Sequence, residues 1–172
     1  NRNWDKSNML RPFWKLLSLL AFLVTGCSDG NQRVSEKTIT SNEIQHLESA
    51  GLHQVYRVSP TLYSGSSPEG DEGFASLKAL GIRTIISVDG AKPDTTRAEK
   101  YGLRYVHIPF GYDGIPKDRV LHLVKASQNL PGPIYVHCHH GKHRGPTAIT
   151  AIQLCTDPSW SIEKSTQWHK LV

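Results

Sequence analysis

Residues 135–144, with the sequence YVHCHHGKHR, restrict the possible fold more than any other part of this 172-residue chain. An apolar strand is predicted from Pro133 to His137, and a helix is predicted to begin near Gly145 or Pro146. The short loop between them directs several backbone N–H groups into one small space, where the helix dipole adds partial positive charge. The segment therefore predicts an anion-binding loop at the carboxyl end of a strand.

The side chains in this segment add a nucleophile and a clamp to that loop. A thiol at the position of Cys138 ionises readily, because the surrounding amides stabilise the thiolate. Arg144 offers a planar fork that can hold two oxygens of a tetrahedral anion, and Gly141 permits a backbone angle that a side chain would oppose. Together they indicate phosphoryl transfer through a phosphocysteine intermediate.

His137 and Cys138, followed by Arg144 after five intervening residues, resemble the His-Cys-x5-Arg signature of the cysteine-dependent protein phosphatases, in particular their compact dual-specificity branch. The resemblance extends over about residues 55–152. It implies a hydrolase of phosphorylated proteins or small phosphate esters that needs no metal or organic cofactor. It also implies that the loop binds phosphate and that His137 supports the loop by hydrogen bonds. The phosphate-binding residues would be His139, His140, Gly141, Lys142, His143 and Arg144.

The sequence departs from this family directly after the arginine. Gly145 and Pro146 stand where the family usually has Ser or Thr followed by Gly, and that hydroxyl helps the thiolate to leave the phosphoenzyme. Thr147 carries a hydroxyl nearby, but at a different spacing. A phosphate-binding pseudophosphatase with little or no turnover is therefore a second hypothesis. A sulfurtransferase, which also carries Cys on an anion loop, is a third.

Hydrolysis of a phosphate ester needs an acid that protonates the leaving oxygen and then activates water. Asp113 is the first candidate, because it lies on a Gly-flanked loop one helix before Cys138 and its context resembles the acid loop of the family. Asp89 is the rival, because it also follows a predicted strand. Asp118 is expected to cap or line its helix.

The histidines around Cys138 allow a different interpretation, a zinc or copper site. The loop is too short to turn so many side chains toward one centre, so we expect no native metal site. The histidines instead add positive potential around the loop.

The rest of the chain alternates between predicted strands and helices, which favours an α/β fold. We expect a central, mostly parallel sheet of four or five strands flanked by helices, cysteine-phosphatase-like in its arrangement. The predicted strands are 56–58, 62–65, 82–88, 103–108 and 133–137. The predicted helices are 41–47, 71–80, 95–101, 117–129, 145–154 and 160–170.

The first residues have the pattern of an export signal. Four basic residues and the apolar run 16–24 are followed by small residues and Cys27, which resembles a bacterial lipoprotein cleavage site. We therefore expect a signal peptide over 1–26, a lipid anchor on Cys27 with a tether over 27–53, and a phosphatase-like domain over 54–172 with a truncated C-terminus. The protein would then be periplasmic or on the cell surface, anchored to the membrane.

The charge and the cysteine content of the chain argue against a nucleic-acid-binding protein and against a disulfide-stabilised scaffold. Residues 1–26 hold four Lys/Arg and one Asp, so their removal lowers the net charge from +5 to +2. No basic run interleaved with aromatic residues is present, so we expect no nucleic-acid partner. Three cysteines are too few for a disulfide scaffold, and Cys155 is expected in the core of its helix.

Overall fold

The computed structural model describes residues 43–172, which form six strands and five helices. The expected signal peptide, Cys27 and most of the expected tether lie outside these residues. The strands are β1 (Gln45–Ser49), β2 (Leu52–Ser59), β3 (Leu62–Gly65), β4 (Thr84–Ser87), β5 (Arg104–His107) and β6 (Ile134–His137). The helices are α1 (Gly70–Ala79), α2 (Thr95–Lys100), α3 (Lys117–Asn129), α4 (Arg144–Thr156) and α5 (Ile162–Leu171).

The six strands form one sheet in the order β1-β2-β3-β6-β4-β5. The pairs β3–β6, β6–β4 and β4–β5 are parallel, whereas β1–β2 and β2–β3 are antiparallel. The predicted α/β class with a mostly parallel sheet is confirmed, and the described residues contain one strand more than the expected four or five.

The additional strand is β1, and it corrects two expectations. The predicted helix over 41–47 is wrong at its described end, because Gln45–Leu47 belong to β1 and pair with Val55–Arg57 of β2. Exposed and half-buried side chains alternate along β1. This pattern is typical of an edge strand that has one face packed against the protein and the other face in solvent. The folded domain therefore starts before residue 54, inside the range assigned to the tether.

Apolar side chains cover both faces of the sheet. In β4, Ile85 belongs to a core cluster with Phe74 and Leu77 of α1, while the adjacent Ile86 belongs to a second cluster with Leu123 of α3 and Ile149 of α4. Neighbouring residues of a strand point to opposite faces, so a strand buried on both faces is apolar throughout. This arrangement explains why every residue of the central strands β3, β4 and β6 is buried.

The parallel strands at the centre end together. In the shared register Gly65 of β3 and Ser87 of β4 both pair with His137, the last residue of β6. The loops that follow these strands therefore meet at one edge of the sheet, the edge at which parallel α/β sheets bind ligands. The segment after β6 reaches α4 at Arg144, one residue before the predicted helix start.

Helix α5 closes the domain against α4. The indole of Trp168 is fully buried and donates a hydrogen bond to the carbonyl oxygen of Pro146, 3.1 Å away.

Cys155, which the sequence placed in the core, is exposed on α4, so this expectation is wrong. Within residues 43–172, no helix has the length and apolar character needed to cross a membrane.

Candidate active site

Cys138 is the first residue after β6, and its side chain is buried with 4% of its surface exposed. It is a free thiol. Two backbone hydrogen bonds fix the start of its loop: Val88 N–H donates to the His137 carbonyl at 2.9 Å, and Ser67 N–H donates to the His139 carbonyl at 3.1 Å. The loops after β3, β4 and β6 are thus joined directly around the cysteine.

The middle of the loop depends on Gly141. Its φ angle is +77°, and a Cβ atom built on it would lie 2.6 Å from the carbonyl carbon of Gly65 and 2.7 Å from the backbone nitrogen of Ser66. Both the left-handed backbone and the close approach to the end of β3 require glycine at this position. In the described part of the chain, no hydrogen bond occupies the backbone N–H of any residue from His140 to His143. These N–H groups remain available to an anion, as the sequence predicts.

Arg144 begins α4 and is held on two sides. Its Nη2 atom donates to Oδ2 of Asp89 at 3.1 Å, in an ion pair whose side chains are each only 13% exposed. Its Cζ atom lies 4.7 Å from the centre of the Tyr112 ring, a cation–π contact. The buried Nε atom has no hydrogen-bond partner among the described residues. That N–H group is available to bind a ligand.

Asp89, the rival candidate for the acid, is the partner of Arg144. Burial opposes ionisation of this carboxyl group, but the N–H of Ala91 and the charge of Arg144 prevail and lower the pKa of Asp89. A carboxyl group held ionised is poorly suited to donate a proton near neutral pH.

Asp113 lies on the loop between β5 and α3, and its side chain is exposed. Its Oδ1 atom lies over Gly111, 2.5 Å from where a Cβ atom on that glycine would be. The neighbouring Tyr112 reaches Arg144, and the Tyr112 ring also lies 6.2 Å, centre to centre, from the His143 ring. The loop that carries Asp113 is therefore in contact with the anion loop, although the carboxyl group itself faces solvent.

A cleft of about 480 Å³ lies between these two loops. Gly111, Tyr112 and Gly114 line one side, and Lys142, His143 and Arg144 line the other. No Asp or Glu side chain is among the described residues that line the cleft. The basic wall and the aromatic ring of Tyr112 favour an anionic substrate with an apolar or aromatic group.

His137 is buried beneath the loop in a neutral state. Desolvation lowers its pKa to about 4. The hydroxyl of Tyr105 donates to its Nε2 atom at 2.6 Å, and its Nδ1–H group points to the carbonyl oxygen of Cys138 at 3.3 Å. These contacts connect the His137 ring to Tyr105 of β5 and to the start of the loop, and the neutral ring adds no positive charge beside the thiol.

The residues His139, His140, Lys142 and His143 are exposed to solvent. The rings of His139 and His140 contact each other at a centroid distance of 4.4 Å. Within residues 43–172, no group of three or more His, Cys, Asp or Glu side chains converges on one point.

Gly145 leaves a space beside the sulfur. A Cβ atom on Gly145 would lie 3.7 Å from Sγ of Cys138. The hydroxyl of Thr147, the nearest alternative in sequence, donates to the His143 carbonyl at 2.9 Å and is thus engaged within its own helix.

The sequence analysis missed Tyr112 and the role of Asp89. Tyr112 was not among the candidate residues, although it directly precedes Asp113. Asp89 was selected only as an acid, and its pairing with Arg144 was not foreseen.

No protein-family model matches the sequence, and no curated protein is significantly similar to it. Solved structures do resemble it. TpbA from P. aeruginosa in complex with phosphotyrosine has a TM-score of 0.64 at 23% identity, covering 77% of this chain and 80% of that one. The core catalytic domain of the PP-IP phosphatase SIW14 from S. cerevisiae has a TM-score of 0.60 at 19% identity, with coverages of 74% and 78%.

PTPMT1 in complex with PI(5)P has a TM-score of 0.57 at 17% identity, covering 66% of this chain and 80% of that one. At these identities the likeness establishes the fold, which the described residues share with these three structures.

Proposed function

We propose that this protein hydrolyses phosphate monoesters through a phosphocysteine intermediate. The observation that carries the proposal is the loop that begins at Cys138 and ends at Arg144. Its backbone N–H groups are unoccupied from His140 to His143, and the buried Nε atom of Arg144 is unpartnered. Such a set of converging donors beside a thiol fits the oxygens of a tetrahedral phosphoryl group.

In the first step, the Cys138 thiolate attacks phosphorus, and an S–P bond forms as the ester P–O bond breaks. The loop amides and Arg144 stabilise the charge on the phosphoryl oxygens. Asp113 gives its proton to the leaving oxygen, which requires its loop to close over the bound substrate.

In the second step, a water molecule gives a proton to Asp113 and attacks phosphorus. The S–P bond breaks, inorganic phosphate leaves, and the thiolate is restored. The exposed side chains of His139, His140, Lys142 and His143 raise the positive potential around the loop and attract the phosphate. No metal ion or organic cofactor takes part in the proposed reaction.

The substrate class is supported by the fold and by the cleft. Structures with this fold hold phosphotyrosine in TpbA and a phosphoinositide in PTPMT1. The open basic cleft beside Arg144, with Tyr112 at its rim, suits an aryl phosphate or a phosphorylated protein side chain. We therefore propose activity of the tyrosine or dual-specificity type.

The Cys138→Ser variant tests this function. We expect it to release no phosphate from a small aryl phosphate while it keeps the fold, because a serine hydroxyl is a far weaker nucleophile than a thiolate. Cys155→Ser is the matched control, since Cys155 is exposed and distant from the loop in sequence. Activity that survives in Cys138→Ser, or that appears only with added metal, would reject the assignment.

A phosphate-binding protein without turnover is the second candidate, and Gly145 is the observation that favours it. No side chain at this position contacts the sulfur to help it leave the phosphoenzyme. A burst of one product molecule per protein, with no further product release, would support this candidate. Sustained turnover would exclude it.

The proposed location follows from the first residues of the sequence. We propose that residues 1–26 direct export and that Cys27 receives a lipid, which anchors the domain to the membrane from the periplasmic or outer side. Phosphorylated partners would then be those present outside the cytoplasm.

A further inference from the structure

Ser64 carries a buried hydroxyl that forms no hydrogen bond. The residue lies on β3 with 0% of its surface exposed, and its Oγ atom has no partner among the described residues. Most buried side-chain hydroxyls are paired, because an unpaired one loses its hydrogen bonds to water and gains none in return. The unpaired Ser64 hydroxyl therefore contributes no hydrogen bond to the stability of the fold, which suggests that it has another role.

The fold places this hydroxyl next to the site. β3 runs parallel to β6, and Ser64 is paired with Val136, two residues before Cys138. A Cβ atom built on Gly145 would lie 3.6 Å from the Ser64 Oγ atom and 3.7 Å from the Cys138 Sγ atom. The hydroxyl and the sulfur therefore border the same small space, and this space exists because residue 145 has no side chain.

The chemistry of the sulfur gives the hydroxyl a partner. A neutral thiol is a weak hydrogen-bond acceptor. A thiolate is a charged acceptor and binds a hydroxyl donor much more strongly. Thr147 cannot take this role, because its hydroxyl donates to the His143 carbonyl.

We propose that the Ser64 hydroxyl donates a hydrogen bond to the Cys138 thiolate across the space left by Gly145. This inference rests on the proposed phosphocysteine mechanism and assigns a residue to its second step. When water attacks phosphorus and the S–P bond breaks, the electron pair of that bond returns to sulfur. The Ser64 O–H group stabilises the charge that develops there and keeps its own proton.

The expected kinetic effect is confined to the step in which sulfur leaves. With an aryl phosphate, Ser64→Ala should keep a burst of about one product per protein, and its steady rate should fall about 10- to 100-fold, as expected for the loss of a hydrogen bond to a charged group. Acid-quenched samples should contain more phosphoenzyme than the wild type. Alkylation of Cys138 by iodoacetamide should require a higher pH, because the thiolate has lost a donor.

Three further variants separate this role from a structural one. Gly145→Ser in the Ser64→Ala background puts a hydroxyl back into the same space, at ordinary contact distances, and should restore most of the steady rate. Ser165→Ala removes a different buried serine, which bonds to Trp160 and Ser161 on α5, and should change stability without changing the burst. Thr147→Ala should not reproduce the accumulation of phosphoenzyme.

The outcomes are distinct. The proposal is overturned if Ser64→Ala keeps the wild-type steady rate and the wild-type pH dependence of alkylation. It is also overturned if Ser64→Ala unfolds, because the hydroxyl would then have a structural partner. A wild-type protein that forms no phosphoenzyme would instead refute the proposed function, and the alkylation profile, which needs no substrate, would still test the contact.

Discussion

Arg144 and Asp89 form a pair in which each side chain fixes the other. The ion pair joins one nitrogen of the guanidinium to the carboxylate at 3.1 Å, and the Tyr112 ring covers the guanidinium face. The buried Nε atom has no hydrogen-bond partner among the described residues. The arginine is thus oriented before substrate binds, which avoids the entropic cost of ordering it in the transition state.

The two aspartates should respond differently to substitution. We expect Asp113→Asn to lower kcat, since an amide is too weak an acid to protonate the leaving oxygen. We expect Asp89→Asn to lower kcat/KM about 10- to 100-fold through the loosened Arg144, with the shape of the pH profile kept. Steady-state kinetics of both variants from acid to alkaline pH would check this. The reverse pattern would assign the acid to Asp89.

His137 should make stability depend on pH. Its pKa is lowered to about 4 in the folded protein, compared with an ordinary value near 6.5. As the pH falls from 6.5 toward 4, the unfolded chain gains a proton at this residue that the folded chain does not. Stability is therefore present above pH 6.5 and is lost in this window, by up to about 3 kcal/mol.

Urea denaturation at pH 7 and pH 4.5 would measure this effect. We expect His137→Asn to be less stable than the wild type at pH 7, because the bond from Tyr105 is altered, and to lose less stability between the two pH values. The rest of the chain is identical in the two proteins, so its contribution cancels in the comparison. Equal losses in the two proteins would show that His137 does not contribute.

At the scale of single elements, the anion loop is shaped by its glycine and by the end of β3. Gly141→Ala places a methyl group within 2.6 Å of the Gly65 backbone and forces an unfavourable φ angle. We expect a loss of stability of about 1–3 kcal/mol and a much larger loss of phosphatase activity, because the loop amides move.

Gly81→Ala is the matched control for this change. Gly81 has a similar φ angle of +78°, but no atom lies within 4 Å of the added Cβ. We expect a cost of about 1 kcal/mol and unchanged activity. Thermal unfolding and aryl phosphate hydrolysis of both variants would separate backbone strain from displacement of the loop. Full activity in Gly141→Ala would contradict the proposed function of this loop.

Most elements could be predicted from local patterns. The β-branched residues of β4 and the Asp94 cap of α2, whose side chain accepts from the Arg97 N–H, are both local features. β1 was missed because it is a half-exposed edge strand with mixed polar residues, and only its pairing with β2 stabilises it. Cys155 was misplaced because a cysteine fits either face of an amphipathic helix.

The local part of the candidate site could also be predicted from the sequence, whereas its long-range contacts could not. Cys138, Gly141 and Arg144 lie within seven consecutive residues, so the loop geometry follows from local sequence. The pair between Arg144 and Asp89 joins residues 55 positions apart, and the orphaned hydroxyl of Ser64 is visible only once β3 lies beside β6. Contacts between distant residues depend on packing, which periodicity does not encode.

At the scale of the whole molecule, location is a prediction of the sequence alone. We expect the full chain, expressed in a bacterium, to sediment with membranes and to incorporate labelled fatty acid, and we expect Cys27→Ser to lose the label. Cys155→Ser serves as a control that retains it. Equal labelling of the Cys27→Ser variant and the wild type would contradict lipidation at this residue.

The central claim is that Cys138 forms a covalent bond to phosphorus. Wild-type protein mixed with an aryl phosphate, quenched in acid within the first turnover and digested, can be measured by mass spectrometry. We predict one added phosphoryl group on the peptide that contains Cys138, and none in Cys138→Ser. Product release without any phosphorylated Cys138 peptide, at mixing times shorter than one turnover, would contradict this mechanism.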